Sequence, residues 1–276
     1  QVVSEELSVP MDQIGVAQLD TDVTPYDIST SASSSMVVMG TAVLRAAEDV
    51  KKQLLQCAAK VLKQKADNLR LHNGHVVLGE RPVISFSKVI VDFFGSKAGE
   101  IIGKGLYKDK RNAKAVLGST TTFWEVGWGG VEVEVDPDTG VIHLLKYVSA
   151  CDTGKAINPE QCIGQDEGAV MFGIGHTLME EMIYEDGQLL NGNLVDYTVP
   201  RFNDVPDKFD TILIENGNGP GPFGSKGIGE GGLLPVASAV ANAVSRAVGV
   251  RIQELPLTPP KIWRALQRKP SSDDKL

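Results

Sequence analysis

Apolar residues in this chain recur at helical spacing in some stretches and alternate in others. Residues 36–64 carry Val43, Leu44, Ala47, Val50, Leu54 and Ala58 on one broad stripe, with Arg45, Glu48, Asp49, Lys51 and Lys52 elsewhere on the wheel. That pattern predicts a long amphipathic helix. A short first helix holds Val2, Val3 and Leu7 and is closed by Val9-Pro10. Asn158-Pro159 predicts the start of a third helix, running to Met182, and further helices are expected at 233–248 and 259–266. Alternation predicts short strands at 14–19 and 212–214, and a pair of strands about the turn Asn73-Gly74. It also predicts one long hairpin, 120–135 and 141–150, around Asp136-Pro137-Asp138-Thr139-Gly140. Residues 95–118 and 217–232 read as glycine-rich loops. Hairpins mixed with long helices make the expected fold class α+β.

Composition narrows the picture. The chain has 276 residues, 42% hydrophobic and 22% charged, enough for a sizeable core and unlike a disordered chain. Its net charge of −8 is the wrong sign for a phosphate backbone, so no nucleic-acid partner is expected. No apolar run approaches the roughly 20 residues that span a bilayer, so no membrane partner is expected either. Cys57, Cys151 and Cys162 form no C-x-x-C pair, which excludes a zinc ribbon or a self-contained iron–sulfur cluster. An odd cysteine count without a secretory leader points to a reducing compartment, so the cytoplasm is expected. The chain begins at Gln1, without an initiator methionine and already in a helical pattern. It is therefore expected to be processed, or the downstream piece of a larger polypeptide or assembly. The expected organisation is one portion of a domain over 1–266 and a polar tail over 267–276.

Three segments could carry chemistry. The strongest is Gly224-Ser225-Lys226-Gly227-Ile228-Gly229-Glu230-Gly231-Gly232. Such a loop before a helix offers backbone N–H groups to an anion, and it lacks the G-K-[ST] of a Walker A motif. Glycines leave Glu230 open to a ligand, so its carboxylate could act as a general base. The same residue also fits a helix-start glutamate facing the dipole. The second segment is Ser31-Ala32-Ser33-Ser34-Ser35, small enough for a flat ligand and rich in donors, or equally a serine cap run. The third is the predicted helix carrying Gly164, Gly168, Gly173 and Gly175. Each glycine costs a helix about 1 kcal/mol against alanine, so something must pack close to that backbone. His72, His75, His143 and His176 are scattered and read as ordinary histidines. Trp124 and Trp128, at spacing four on the predicted strand, read as one core or interface face. The basic cluster at 104–114 reads as a solvated face.

The order of the motifs is more specific than any one of them. The chain carries Glu5-Glu6-Leu7-Ser8-Val9-Pro10, then Asp20-Thr21-Asp22 with Thr24-Pro25-Tyr26-Asp27, then the serine run. Ala156-Ile157-Asn158-Pro159, Gly164-Gln165, Gly173-Ile174-Gly175 and Glu180-Glu181 follow. Leu194-Val195-Asp196-Tyr197 with Val199-Pro200 and Lys226-Gly227-Ile228-Gly229-Glu230 complete the series. This series resembles the C-terminal part of the molybdenum-binding subunit of the xanthine dehydrogenase/aldehyde oxidase family, the bacterial multi-subunit members above all. The resemblance implies that Glu230 is the base beside molybdenum, and that the metal is held by the pterin dithiolene rather than by protein ligands. It implies that Ala32 packs beside substrate and metal, and that Ser33, Ser34 and Ser35 bind a pterin dinucleotide, the cytosine form expected. It also implies that Lys226, Gly227, Ile228 and Gly229 line the cofactor edge, and that Gln165 belongs to a cofactor-side helix.

The implied reaction is oxidative hydroxylation of an electron-poor carbon, with water as oxygen source. Nicotinate- or purine-like N-heterocycles are the first expected substrates and aldehydes the second. Electrons would leave through iron–sulfur clusters and FAD on partner subunits. Two features depart from the family pattern. Phe172 stands where many relatives place a glutamine, and Gly231-Gly232 replaces the Pro-Pro of the animal enzymes. The upstream cofactor loops and substrate-pocket residues are absent from this chain, so another half of the molybdopterin-binding subunit is an expected partner. The rival expectation is a non-catalytic pterin- or nucleotide-binding or structural subunit.

Overall fold

The computed structural model describes residues 1–27, 29–97, 99–108 and 121–267. The chain forms two compact units, Gln1–Phe123 with Gly217–Gly227, and Trp124–Asn216 with Ile228–Leu276. Within the described residues the folded elements match the α+β expectation.

The first unit is built on a short helix, α1 (Val2–Leu7), and a long one, α2 (Ser35–Leu62). The stripe on α2 buries Ala47, Leu54 and Ala58 as expected, together with Val37, Thr41 and Cys57. Lys63 takes the left-handed conformation that ends the helix, and its N–H bonds back to the last turn. A meander follows: β1 (Leu69–His72), β2 (His75–Leu78) and β3 (Arg81–Ser85), all antiparallel. Asn73 and Gly74 both have positive φ, 45° and 72°, the geometry a two-residue hairpin demands. Helix α3 (Phe86–Phe94) starts at Ser85, whose hydroxyl accepts from the Lys88 N–H. Leu54, Ala58, Leu69, Val76, Ile84 and Val89 close the core.

The second unit holds a three-stranded sheet in the order β4 (Gly127–Val135), β5 (Ile142–Asp152), β8 (Lys208–Ile214). β4 and β5 form the expected long hairpin. Asp136 closes its turn by accepting from the Asp138 N–H at 2.8 Å and the Thr139 hydroxyl at 2.6 Å. β5 and β8 run parallel, and such a pair needs a crossover. Helix α4 (Pro159–Leu178) lies in that connection, capped by Asn158 with Pro159 in its first turn. A small ladder, β6 (Tyr184–Glu185) and β7 (Gln188–Leu189), precedes β8. Helices α5 (Val236–Val248) and α6 (Pro259–Gln267) complete a core of Tyr147, Val170, Ile174, Val236, Val240, Val244, Leu257 and Ile262.

Several expected boundaries are corrected. No strand forms at 14–19; a single turn at Met11–Gln13 precedes extended, exposed chain, with Val16 93% exposed. A strand needs a neighbour's hydrogen-bond ladder, and this segment is given none in the sheets. The first strand of the long hairpin starts at Gly127, so Trp124 lies ahead of it; Thr120 falls outside the described residues. Helix α4 stops at Leu178 rather than Met182, with the Glu180 N–H turning back onto the Gly175 carbonyl. Helix α5 starts three residues later than the pattern predicts, after a single turn at Gly231–Leu233. Part of the glycine-rich 95–118 loop, most of the basic cluster and nearly all of the polar tail fall outside the described residues.

Candidate active site

The motif residues fall in both units. In the first, Ala32 and Ser33 both adopt positive φ, 51° and 52°, before Ser34 caps α2. The Ser34 hydroxyl turns back to the Ser31 carbonyl at 2.6 Å, so the Ser34 side chain does not itself cap the first N–H groups of α2. No acid sits in that first turn. A helix of 28 residues whose N-terminus carries hydroxyls and no carboxylate has the donor set that suits a phosphate group. Gly227 lies against this turn: a Cβ there would run into the Ser33 carbonyl and come within 3.0 Å of the Phe123 ring. Only glycine lets the two backbone segments meet. Lys226, half-buried, precedes it.

In the second unit, Glu230 is exposed between Gly229 and Gly231. The loop around it is tied on both sides. Gln165 of α4 donates its Nε2–H to the Gly229 carbonyl at 2.9 Å. The Glu125 carboxylate accepts from the N–H groups of Gly229, at 3.0 Å, and Gly231, at 3.1 Å. Ile228 is half-buried at the head of this loop. Gly232 packs on α4, where a Cβ would stand 2.7 Å from the Asp166 carbonyl and carboxylate oxygens.

The structure thus brings Ser33 together with Gly227, and Gln165 together with Gly229. Glu125 is the residue that sequence reasoning missed. Its signal was an acid inside the aromatic and apolar run Phe123-Trp124-Glu125-Val126.

The glycines of α4 divide into two pairs. A Cβ on Gly173 would lie 2.6 Å from the Val236 side chain, and one on Gly175 would strike Pro200 at 2.7 Å. The chain itself supplies the close neighbour that these two glycines were expected to have. Gly164 and Gly168 instead face open space on an exposed side of the helix, in line with Phe172, which is 63% exposed. Asp166 of the same helix is buried at 1% exposure; one oxygen accepts from the Thr211 hydroxyl at 3.2 Å, and the other meets no N–H or O–H donor among the described residues. Burial, reinforced by the Asp166 charge, pushes the Cys151 thiol and the Tyr147 hydroxyl each up to about 12. Both groups stay protonated at neutral pH. Among the described residues, no group of three or more His, Cys, Asp or Glu is placed to hold a metal ion. No helix among them is long and apolar enough to cross a membrane.

Comparison with known proteins decides the family. Residues 1–206 match the molybdopterin cofactor-binding domain. This chain belongs to that family. The xanthine dehydrogenase molybdenum-binding subunit of Escherichia coli O157:H7 is 34% identical over 271 residues, covering 95% of this chain and 35% of that protein. The 6-hydroxypseudooxynicotine dehydrogenase complex subunit gamma of Paenarthrobacter nicotinovorans is 33% identical, covering 97% and 34%. Among solved structures, quinoline 2-oxidoreductase from Pseudomonas putida 86 superposes with a TM-score of 0.82 at 27% identity, over 98% of this chain and 34% of that one. The chain therefore spans about a third of the length of the relatives it matches. The domain match contains Ala32, Ser33, Ser34, Ser35 and Gln165, while the loop around Glu230 lies beyond it.

Proposed function

We propose that this chain is the C-terminal part of the molybdopterin-binding catalytic subunit of a molybdenum hydroxylase. The observation that carries this reading is Glu230, an exposed carboxylate on a loop whose backbone is held on both sides. When bound, the molybdenum cofactor supplies two-electron oxidation of a carbon centre with oxygen drawn from water. Overall, a C–H bond and one water become a C–OH group, two electrons and two protons. Glu230 takes one of those protons at a carboxylate oxygen; it must be ionised beforehand and release the proton to solvent afterwards.

The other residues bind and orient. The N-terminus of α2, with Ser33, Ser34 and Ser35, takes the anionic end of the pterin cofactor, and a dinucleotide form, the cytosine one, supplies more phosphate for it. Ala32 leaves room beside the reacting centre. Lys226, Gly227, Ile228 and Gly229 line the cofactor edge, with Gln165 bracing the last of them. N-heterocycles are the first substrate class, in keeping with the xanthine and quinoline in the relatives' names. Aldehydes are the second.

The remaining two thirds of the relatives' length corresponds to the rest of the molybdopterin-binding subunit, supplied as a partner, and electrons pass to iron–sulfur and FAD partner subunits. One face of the sheet supports such a partner: Trp128, Ala150 and Ile212 form one cross-strand row, with Trp128 56% and Ile212 52% exposed. The assembly belongs in the cytoplasm, a placement the three unpaired cysteines support.

The test is Glu230→Gln in the purified complex, assayed by dye reduction with nicotinate, hypoxanthine and benzaldehyde. The expected outcome is unchanged molybdenum content with turnover lowered by about 100-fold or more. Full turnover would overturn the reading.

A further inference from the structure

We propose that Glu125 is a positioning residue that fixes the backbone arc carrying Glu230; this rests on the reading of Glu230 as the base. Three observations carry it. A single oxygen of Glu125, Oε1, accepts the N–H of the residue before Glu230 and the N–H of the residue after it, at 3.0 and 3.1 Å. One acceptor shared by residues 229 and 231 leaves the peptide units between them little freedom. Second, Gly229 and Gly231 are the residues least able to hold such an arc by themselves, because glycine visits the widest range of backbone angles. An exposed base between two glycines needs an outside constraint to keep a fixed direction. Third, the loop is shaped to Glu125: a Cβ on Gly231 would stand 2.6 Å from its carboxyl carbon. A side chain at 231 would displace the Glu125 carboxylate from this position.

Gln165 completes the hold from the other side through the Gly229 carbonyl, at 2.9 Å. Glu125 is half-buried, just ahead of β4, so its acceptor is set on the sheet's own framework. Both N–H bonds go to Oε1 of Glu125, and no proton transfer is assigned to this carboxylate. Its role is to keep the Cα–Cβ bond of Glu230 aimed in one direction.

The experiment uses the purified multi-subunit complex with Glu125→Ala, Glu125→Gln and Glu230→Gln. Glutamine keeps the acceptor oxygen and removes the charge; alanine removes the acceptor. Hydrogen exchange is read on the peptide over 228–233, and turnover by dye reduction with nicotinate, hypoxanthine and benzaldehyde. Molybdenum per chain is measured in every variant. Glu125→Ala is expected to speed exchange at 229 and 231 by about tenfold or more. It is expected to lower kcat by about 100-fold, with KM and molybdenum content nearly unchanged. Glu125→Gln is expected to restore slow exchange and most of kcat. The proposal is overturned if Glu125→Ala keeps wild-type exchange and kcat, if activity falls only in proportion to lost molybdenum, or if glutamine rescues neither readout. Full turnover in Glu230→Gln would bring down the reading of the base and this inference together. A dead Glu230→Gln beside a fully active Glu125→Ala would bring down this inference alone.

Discussion

Cys151 shows how far the surroundings of one residue govern its chemistry. It is 2% exposed, and its thiol titrates only near 12 because burial and then the Asp166 charge disfavour the thiolate. The thiolate is the reactive form, so at pH 8 iodoacetamide should leave Cys151 unlabelled in the native protein and label it fully after denaturation. Labelling of Cys151 in the native protein, read by peptide mass spectrometry, would contradict the buried position. Glu230 and Ser33 stood out in the sequence because glycines and small hydroxyls surround them. Glu125 was not legible, because its partners are backbone N–H groups about a hundred residues away. A hydrogen bond to backbone leaves no complementary side chain for a sequence reading to find.

Helix α4 separates two meanings of glycine on a single element. At Gly173 an added methyl would overlap Val236, whereas at Gly168 it would meet nothing within 4 Å. Gly173→Ala should therefore lower the local stability of α4 by about 1–3 kcal/mol through overpacking. Gly168→Ala should raise it by up to about 1 kcal/mol through helix propensity. Amide exchange along α4 in the assembled protein reads both; equal effects of the two substitutions would contradict the contrast.

At the end of β8, Glu215 accepts from Lys155 Nζ and the Ala156 N–H, both at 3.0 Å. The bond from Lys155 and then that from Ala156 hold its carboxyl below the ordinary 4.5. A lowered carboxylate stabilises the fold above its unfolded value and loses that contribution as pH falls through the folded one. Glu215→Gln should make the loss of stability below pH 4.5 shallower in an acid titration followed by circular dichroism. An acid limb unchanged by the substitution would contradict this.

Element types were readable where a single period dominated, as in α2 and the β4–β5 hairpin. β3 and α3 escaped because Arg81-Pro82 reads as a break, although an edge strand tolerates a proline. The extended run at 14–19 alternates like a strand but has no partner in the sheets.

At the scale of the molecule, the exposed apolar residues point to a larger assembly. Val16, Leu19, Val195 and Phe202 are each more than three-quarters exposed, and the outer row of Trp128, Ala150 and Ile212 adds to them. The row of Trp128, Ala150 and Ile212 is apolar surface of the kind a partner covers. Expressed alone, the chain should self-associate in analytical ultracentrifugation; a stable, monodisperse monomer would contradict the assembly. The family was legible from the order of the motifs along the chain. The substrate class was not, since the relatives extend to about three times the length of this chain.

The central claim is that this chain contributes to a molybdenum active site. Its most direct test is the molybdenum content of the complex that co-purifies with the chain from a molybdate-replete native host, by elemental mass spectrometry. The account predicts about one molybdenum per copy of the chain, the ratio of one cofactor to one catalytic subunit. A complex that holds its partners and contains no molybdenum would contradict it.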